Sequence, residues 1–95
     1  MANRARKLLE KMKDSPAGWR PHDFQTLYLG FGFKMVNAKN HDTFVHPDFP
    51  YIIDQIPRHA DELSKAYART AIKNIELLER LQEEIRKQDE SDAME

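Results

Sequence analysis

The chain has 95 residues, of which 40% are hydrophobic, and a formal net charge of -1. This length allows one small domain with a single thin core, and the near-zero charge argues against a protein that binds nucleic acid through a strongly basic overall field. The absence of cysteine excludes a disulfide framework and a thiol nucleophile, and no apolar run is long enough for a membrane span or signal peptide, so we expect a cytoplasmic protein with no membrane partner.

Residues 1–18 are predicted to form an N-terminal helical extension. Asn3 is a suitable N-cap, and apolar residues at helical spacing predict a short helix from about Arg4 to Lys13. The first twenty residues carry six basic side chains against two acidic ones. Because this helix has no aromatic residue on which a base could stack, we interpret it as a solvated helix with one packed side, and a phosphate-binding arm is the alternative.

A second helix is predicted to begin between Pro21 and Asp23, since proline suits the first helical turn and aspartate suits a cap. It should end near Leu29. Gly30 and Gly32 follow, and glycine readily adopts the left-handed conformation that terminates helices.

Three short segments rich in β-forming residues come next, and they predict a three-stranded antiparallel meander over residues 33–38, 41–46 and 51–56. Side-chain alternation in the middle strand sets His41 and Val45 on one face, with Phe44 and His46 on the other. If the helices cover the Phe44 face, His41 points into solvent, where a substrate can reach it.

The last predicted element is a long helix that starts near residues 61–64 and ends at about Gln88. Residues 89–95 are predicted to be a disordered acidic tail. The fold class is therefore α+β, with helices packed on one face of a three-stranded antiparallel sheet. Residues 19–88 have the order α-β-β-β-α, preceded by an extra N-terminal helix and ending in the long C-terminal helix.

The clearest candidate for chemistry is His41, which follows Lys39 and Asn40 at the junction between a turn and a strand. Imidazole titrates near neutral pH and can move a proton on and off a hydroxyl without a metal. The residue types alone also fit an ordinary exposed histidine. No histidine pair has the spacing of helical metal ligands, and no glycine-rich loop suggests a nucleotide, so we expect neither a metal nor a cofactor.

The order and spacing of several fragments resemble the HicA family, the ribonuclease toxins of bacterial and archaeal toxin–antitoxin pairs. These fragments are Gly32–Phe33, then Asn40 to Asp48, then Ile56 to His59. The resemblance covers about residues 20–80. It implies a fold like a double-stranded RNA-binding domain, metal-independent cleavage of messenger RNA, and neutralisation by a HicB-like antitoxin protein that covers the sheet face around His41.

By position in this resemblance, His41 matches the catalytic histidine, while Phe44, His46 and Pro47 match the strand that supports it. We expect His41 to act as general base or acid while the ribose 2′-hydroxyl attacks the adjacent phosphate. The residues expected to contact the substrate are Lys34, Lys39, Asn40 and Arg58.

This chain departs from the family at the turn, where Lys39 and Asn40 replace a glycine and a serine. Asparagine tolerates a left-handed turn, so we expect the backbone course to be kept. The departure motivates an alternative function, a noncatalytic RNA-binding or protein-binding module with the same fold. A third hypothesis is a homo-oligomer in which the long C-terminal helix pairs with a second copy of itself.

Overall fold

The computed structural model describes the backbone of residues 3–93 and the side chains of residues 4–90. Over this range the elements follow the order α1 (Asn3–Asp14), α2 (Pro21–Gly30), β1 (Lys34–Asn37), β2 (His41–Val45), β3 (Ile53–Pro57) and α3 (Lys65–Ala93). The predicted α+β class with a three-stranded antiparallel sheet is confirmed.

The sheet has the strand order β1-β2-β3, with β2 in the centre. One face packs against the helices, so that Phe44 and Ile56 are buried in the core. The other face, which we call the open face, keeps large apolar side chains in solvent, and Val36 and Ile53 are 57% and 51% exposed. By strand alternation and register, the open face consists of Lys34, Val36, His41, Thr43, Val45, Ile53, Gln55 and Pro57.

Helix α1 is part of the domain core. Its residues Leu9 and Met12 are fully buried in the same cluster as the sheet residues. At the other end of α1, Ala5 lies so close to Gly30 of α2 that a Cβ added to Gly30 would overlap the Ala5 Cβ. The segment predicted as an N-terminal extension therefore packs as tightly as the rest of the fold. The cap predicted at Asn3 depends on a side chain outside the described ones.

Helix α2 ends in a glycine-dependent turn that leads directly into β1. The N–H of Phe33 donates to the Tyr28 carbonyl at 3.0 Å, and the N–H of Gly32 donates to the Leu29 carbonyl at 3.1 Å. Gly32 has a φ of +91°, which is the left-handed conformation expected at this position of a Schellman motif. Of the two predicted glycines, Gly32 ends the helix and Gly30 is still helical.

Helix α3 begins at Lys65 and continues to Ala93, beyond the predicted end at Gln88. Residues 89–93 are therefore helical where we predicted a disordered tail, and residues 94 and 95 lie outside the described part. Arg86 forms ion pairs with Glu83 and Glu90 one turn away on either side, and such pairs support a solvated helix. Residues 82–90 are all exposed, and Ile85 is the one large apolar side chain among them.

Candidate functional site

His41 is exposed and stands at the first position of β2, directly after the turn from β1. The turn is fixed by two backbone hydrogen bonds. The N–H of Ala38 donates to the His41 carbonyl at 2.9 Å, and the N–H of Arg58 donates to the Asn40 carbonyl at 3.0 Å. The imidazole is thus free in solvent while its backbone is attached to both neighbouring strands.

The Arg58 side chain holds this turn from the adjacent strand end. Its Nε donates to Asp42 Oδ1 at 3.0 Å, and its terminal nitrogen donates to the carbonyls of Ala38 at 2.6 Å and His41 at 3.4 Å. Asp42 is only 9% exposed, and a buried carboxylate requires such a charged partner. Arg58, predicted to contact substrate, therefore also positions the backbone that carries His41.

His46, at the other end of β2, has a purely structural environment. It is 4% exposed, and its ring packs against Phe33 and Phe49. The backbone N–H of Asp48 donates to His46 Nδ1 at 3.1 Å, so this nitrogen is an acceptor and the ring proton belongs on Nε2. His41 is exposed and His46 is buried, which agrees with the opposite faces that strand alternation predicts.

The four predicted substrate-contacting residues divide into two groups. Lys39 and Asn40 are exposed in the turn before His41, and Arg58 is bonded to that turn. Lys34 lies on the same open face but pairs with Val45, four residues along β2 from His41. At about 3.3 Å per residue, this is about 13 Å away. Lys34 can therefore contact only a neighbouring part of a substrate that His41 binds.

The turn at Lys39 and Asn40 does not use the left-handed backbone that we expected Asn40 to tolerate. Among the described residues, every positive φ belongs to a glycine, namely Gly18 and Gly32. The Ala38 and Arg58 hydrogen bonds close the turn without a positive φ at Lys39 or Asn40. A lysine at position 39 consequently imposes no backbone strain here.

A second polar cluster, which no spacing in the sequence predicts, joins α2, β3 and α3. The Tyr28 hydroxyl donates to Asp54 Oδ2 at 2.7 Å and accepts from Asn74 Nδ2 at 3.1 Å, and the N–H of Gln55 donates to Asp54 Oδ1 at 2.9 Å. Burial raises the pKa of Asp54 above its ordinary value, while its two hydrogen bonds act in the opposite direction. Burial and the neighbouring Asp54 also raise the pKa of Tyr28.

This Tyr28 cluster lies beneath the sheet, and its donors and acceptors are used within the protein. No buried side-chain nitrogen or oxygen lacks a hydrogen-bond partner in the described part of the chain. We therefore assign the cluster to the packing of the two helices on the sheet. The exposed imidazole at the β1–β2 turn remains the candidate for chemistry.

Metal and membrane sites find no support in the described residues. Within them, no group of three or more histidine, aspartate and glutamate side chains is arranged to hold a metal ion. None of the helices there is long and apolar enough to cross a membrane.

Comparison of the chain with protein-family models, with curated proteins and with solved structures finds no match in any of the three. The resemblance to the HicA family therefore stays a prediction from the residue pattern.

Proposed function

We propose that this protein is a HicA-like toxin, a metal-independent endoribonuclease that cleaves messenger RNA with His41 and is neutralised by a HicB-like antitoxin. The observation that carries the proposal is the exposed His41 imidazole on a backbone fixed by Arg58 and Ala38. A catalytic base must be accessible to its substrate and held in place. The order α2-β1-β2-β3-α3, with the helices on one face, supports the further proposal of a double-stranded RNA-binding-domain-like fold.

The reaction is an attack of a ribose 2′-hydroxyl on the adjacent phosphate. His41 accepts the hydroxyl proton as the 2′-oxygen forms its bond to phosphorus. The bond from phosphorus to the 5′-oxygen breaks, and this oxygen takes a proton from water. The products are a 2′,3′-cyclic phosphate and a free 5′-hydroxyl. A positioned base of this kind contributes about 10²–10⁴-fold in rate.

Positive charge at the His41 end of the open face supports phosphate binding. Lys39 is exposed one residue before Asn40, and no described carboxylate forms an ion pair with it. The Arg58 guanidinium is held against Asp42, so its charge is partly neutralised. Lys39 is therefore the main candidate for stabilising the charge that develops on the phosphate.

The open face also fits a protein partner. Its neighbouring strands present Val36 and Ile53, and Tyr51 precedes β3 with 66% of its surface exposed. Exposed apolar side chains gathered on one face mark a surface for protein interaction. An antitoxin that covers this surface would also block access to His41.

The same apolar surface favours one other function, a noncatalytic module that binds RNA or protein through this face. Lys39 and Asn40 replace the glycine and serine expected from the resemblance, and they are the reason to keep this function under test. The two functions differ in a single outcome, since only the toxin cleaves RNA.

Replacement of His41 by alanine tests the proposal. We expect the rate of RNA cleavage by His41→Ala to fall by at least about 10²-fold, because a general base is removed. The circular dichroism spectrum should be unchanged. The measurement is cleavage of a labelled messenger RNA by the purified protein in the presence of EDTA. Gln88→Ala removes an exposed polar side chain of α3 and serves as the control with activity near that of the parent. Full activity of His41→Ala would refute the assignment, and an intact RNA with the parent protein would support the noncatalytic module.

A further inference from the structure

The basic side chains of α1 divide into two sets with different surroundings. Arg6 pairs with Glu79 of α3, and Lys13 lies 3.5 Å from Glu76 of the same helix. These two cations connect α1 to α3. The second set points away from α3 and consists of Arg4, Lys7 and Lys11. All three are exposed, and none forms an ion pair with a carboxylate whose side chain the structure describes.

The second set lines a groove between α1 and α2, which we call the α1–α2 groove. It has a volume of about 220 Å³, and Arg4, Lys7 and Lys11 form one wall. His22 contributes from α2. The one carboxylate in the lining is that of Asp23, whose Oδ2 accepts a hydrogen bond from the Arg20 backbone N–H at 3.0 Å. The groove therefore carries a surplus of positive charge.

The spacing of these cations suits an extended polyanion. Residues three and four apart on a helix rise by about 4.5 and 6 Å along its axis. Arg4, Lys7 and Lys11 thus form a row on one side of α1. A row of unpaired cations that a strand can follow is typical of surfaces that bind a nucleic-acid backbone.

The alternative occupant, an anionic membrane surface, fits the groove poorly. A helix that lies on a membrane inserts its apolar side between the lipids. The apolar side of α1 is already used, since Ala5, Leu9 and Met12 are buried in the protein core. What α1 presents to solvent is charge, which suits phosphates in water.

The groove also continues toward the His41 turn. His22 lines a second, larger hollow of about 580 Å³ together with Arg20 and Arg58, and Arg58 is bonded to the turn before His41. Asp61 and Glu62 also line this hollow, so two carboxylates offset the charge of its two arginines. The two hollows share His22, and the surplus of positive charge is confined to the α1–α2 groove.

We propose that the α1–α2 groove binds the phosphate backbone of single-stranded RNA, as a docking site separate from the His41 turn. That the docked strand is the one cleaved at His41 depends on the proposed function; the binding itself does not. The cations Lys7 and Lys11 contact phosphates and carry no base specificity.

The salt dependence of RNA binding tests this site. Binding is measured by fluorescence anisotropy in the His41→Ala background, so that the labelled single-stranded RNA stays intact. Each phosphate contact to a single strand contributes about 0.7 to the slope of log affinity against log salt concentration. The double variant Lys7→Gln with Lys11→Gln should lower the slope by about 1.4. This corresponds to a loss of RNA affinity of about 25-fold at 0.1 M salt relative to the loss at 1 M salt.

The matched control is Lys73→Gln with Lys87→Gln, which removes the same charge from exposed positions of α3 and should leave the slope unchanged. Equal slopes for both double variants, or no RNA binding by the His41→Ala parent, would overturn the proposal. Lysine-dependent binding to anionic vesicles without RNA binding would also overturn it. Arg4→Gln, a single substitution, repeats the test if the double variant does not fold. If the double variant lowers the slope but the wild-type protein cleaves no RNA, the proposed ribonuclease activity is refuted and RNA binding in the α1–α2 groove is supported.

Discussion

The two faces of the sheet share three strands but differ in how their side chains are used. On the covered face, Phe44 and Ile56 are buried, and the polar groups there are paired within the protein, as Asp42 is with Arg58. On the open face, the His41 imidazole and the apolar side chain of Ile53 are exposed to solvent. Since neighbouring residues of one strand alternate between these faces, a change of one position moves a substitution from the core to the candidate site.

This difference separates stability from chemistry. Buried apolar groups provide most of the free energy of folding, and exposed side chains contribute little to it. Substitutions on the open face should therefore change binding or activity, while those on the covered face should change the free energy of unfolding.

Replacement of Phe44 by alanine should have the largest effect on stability. The ring is fully buried and stacks on Tyr28 at 4.9 Å between ring centroids. Loss of a buried phenylalanine side chain costs about 3–5 kcal/mol, because a cavity remains. Urea unfolding followed by circular dichroism measures the change. Val36→Ala on the open face is the control, and its free energy of unfolding should stay within about 0.5 kcal/mol of the wild-type value. A comparable loss in Val36→Ala would mean that the open face is covered in the free protein.

His41, which begins β2, and His46, which directly follows it, give a second, smaller contrast. His46→Ala should lower the free energy of unfolding by about 1–3 kcal/mol, since it leaves the Asp48 N–H without its acceptor and removes ring contacts with Phe33 and Phe49. His41→Ala should stay within about 0.5 kcal/mol. His46→Phe keeps the ring and removes the acceptor, so it separates the packing from the hydrogen bond. An equal loss of unfolding free energy in His41→Ala and His46→Ala would mean that both rings are buried in the core.

Local patterns predicted much of the sheet and its faces. Alternation of β-forming residues predicts a strand at residues 41–46, and the structure has β2 at His41–Val45. The same alternation predicts the opposite orientations of His41 and His46, and the glycines predict the helix end at Gly32. These features depend on a few neighbouring residues. The predicted end of α3 at Gln88 is wrong, because the acidic composition of the tail suggests disorder. Ion pairs one turn apart allow a solvated helix to continue.

Contacts between distant segments could not be predicted in this way. The prediction that Arg58 contacts substrate needs only its sequence position, whereas its bond to Asp42 depends on the register of β2 and β3. The division of α1 into paired and unpaired cations depends on where α3 lies. The cluster of Tyr28, Asp54 and Asn74 joins residues from three elements, and no spacing in the sequence brings them together.

The smallest predicted effect concerns Asp54, which lies opposite Phe44 on the covered face. Burial raises the pKa of Asp54 in the folded protein above the ordinary value of 3.8 expected in the unfolded chain. Between these two pKa values, the folded state holds more protons than the unfolded state, so stability falls as pH rises through this window. Below the window both states are protonated, and this contribution to stability is fully present. Above it, both are ionised and the folded state carries the cost of a partly buried charge.

Asp54→Asn removes this titration while keeping an oxygen that can accept from Tyr28. The free energy of unfolding of the wild type minus that of Asp54→Asn should therefore decrease from acidic to neutral pH, as measured by urea unfolding at matched pH values. Asp48→Asn, at an exposed position, shows how much of the pH dependence comes from loss of one charge alone. A difference that increases with pH would mean that the hydrogen bonds from Tyr28 and Gln55 outweigh burial. The polar cluster would then stabilise the charged carboxylate, and the covered face would tolerate a charge that its packing is expected to disfavour.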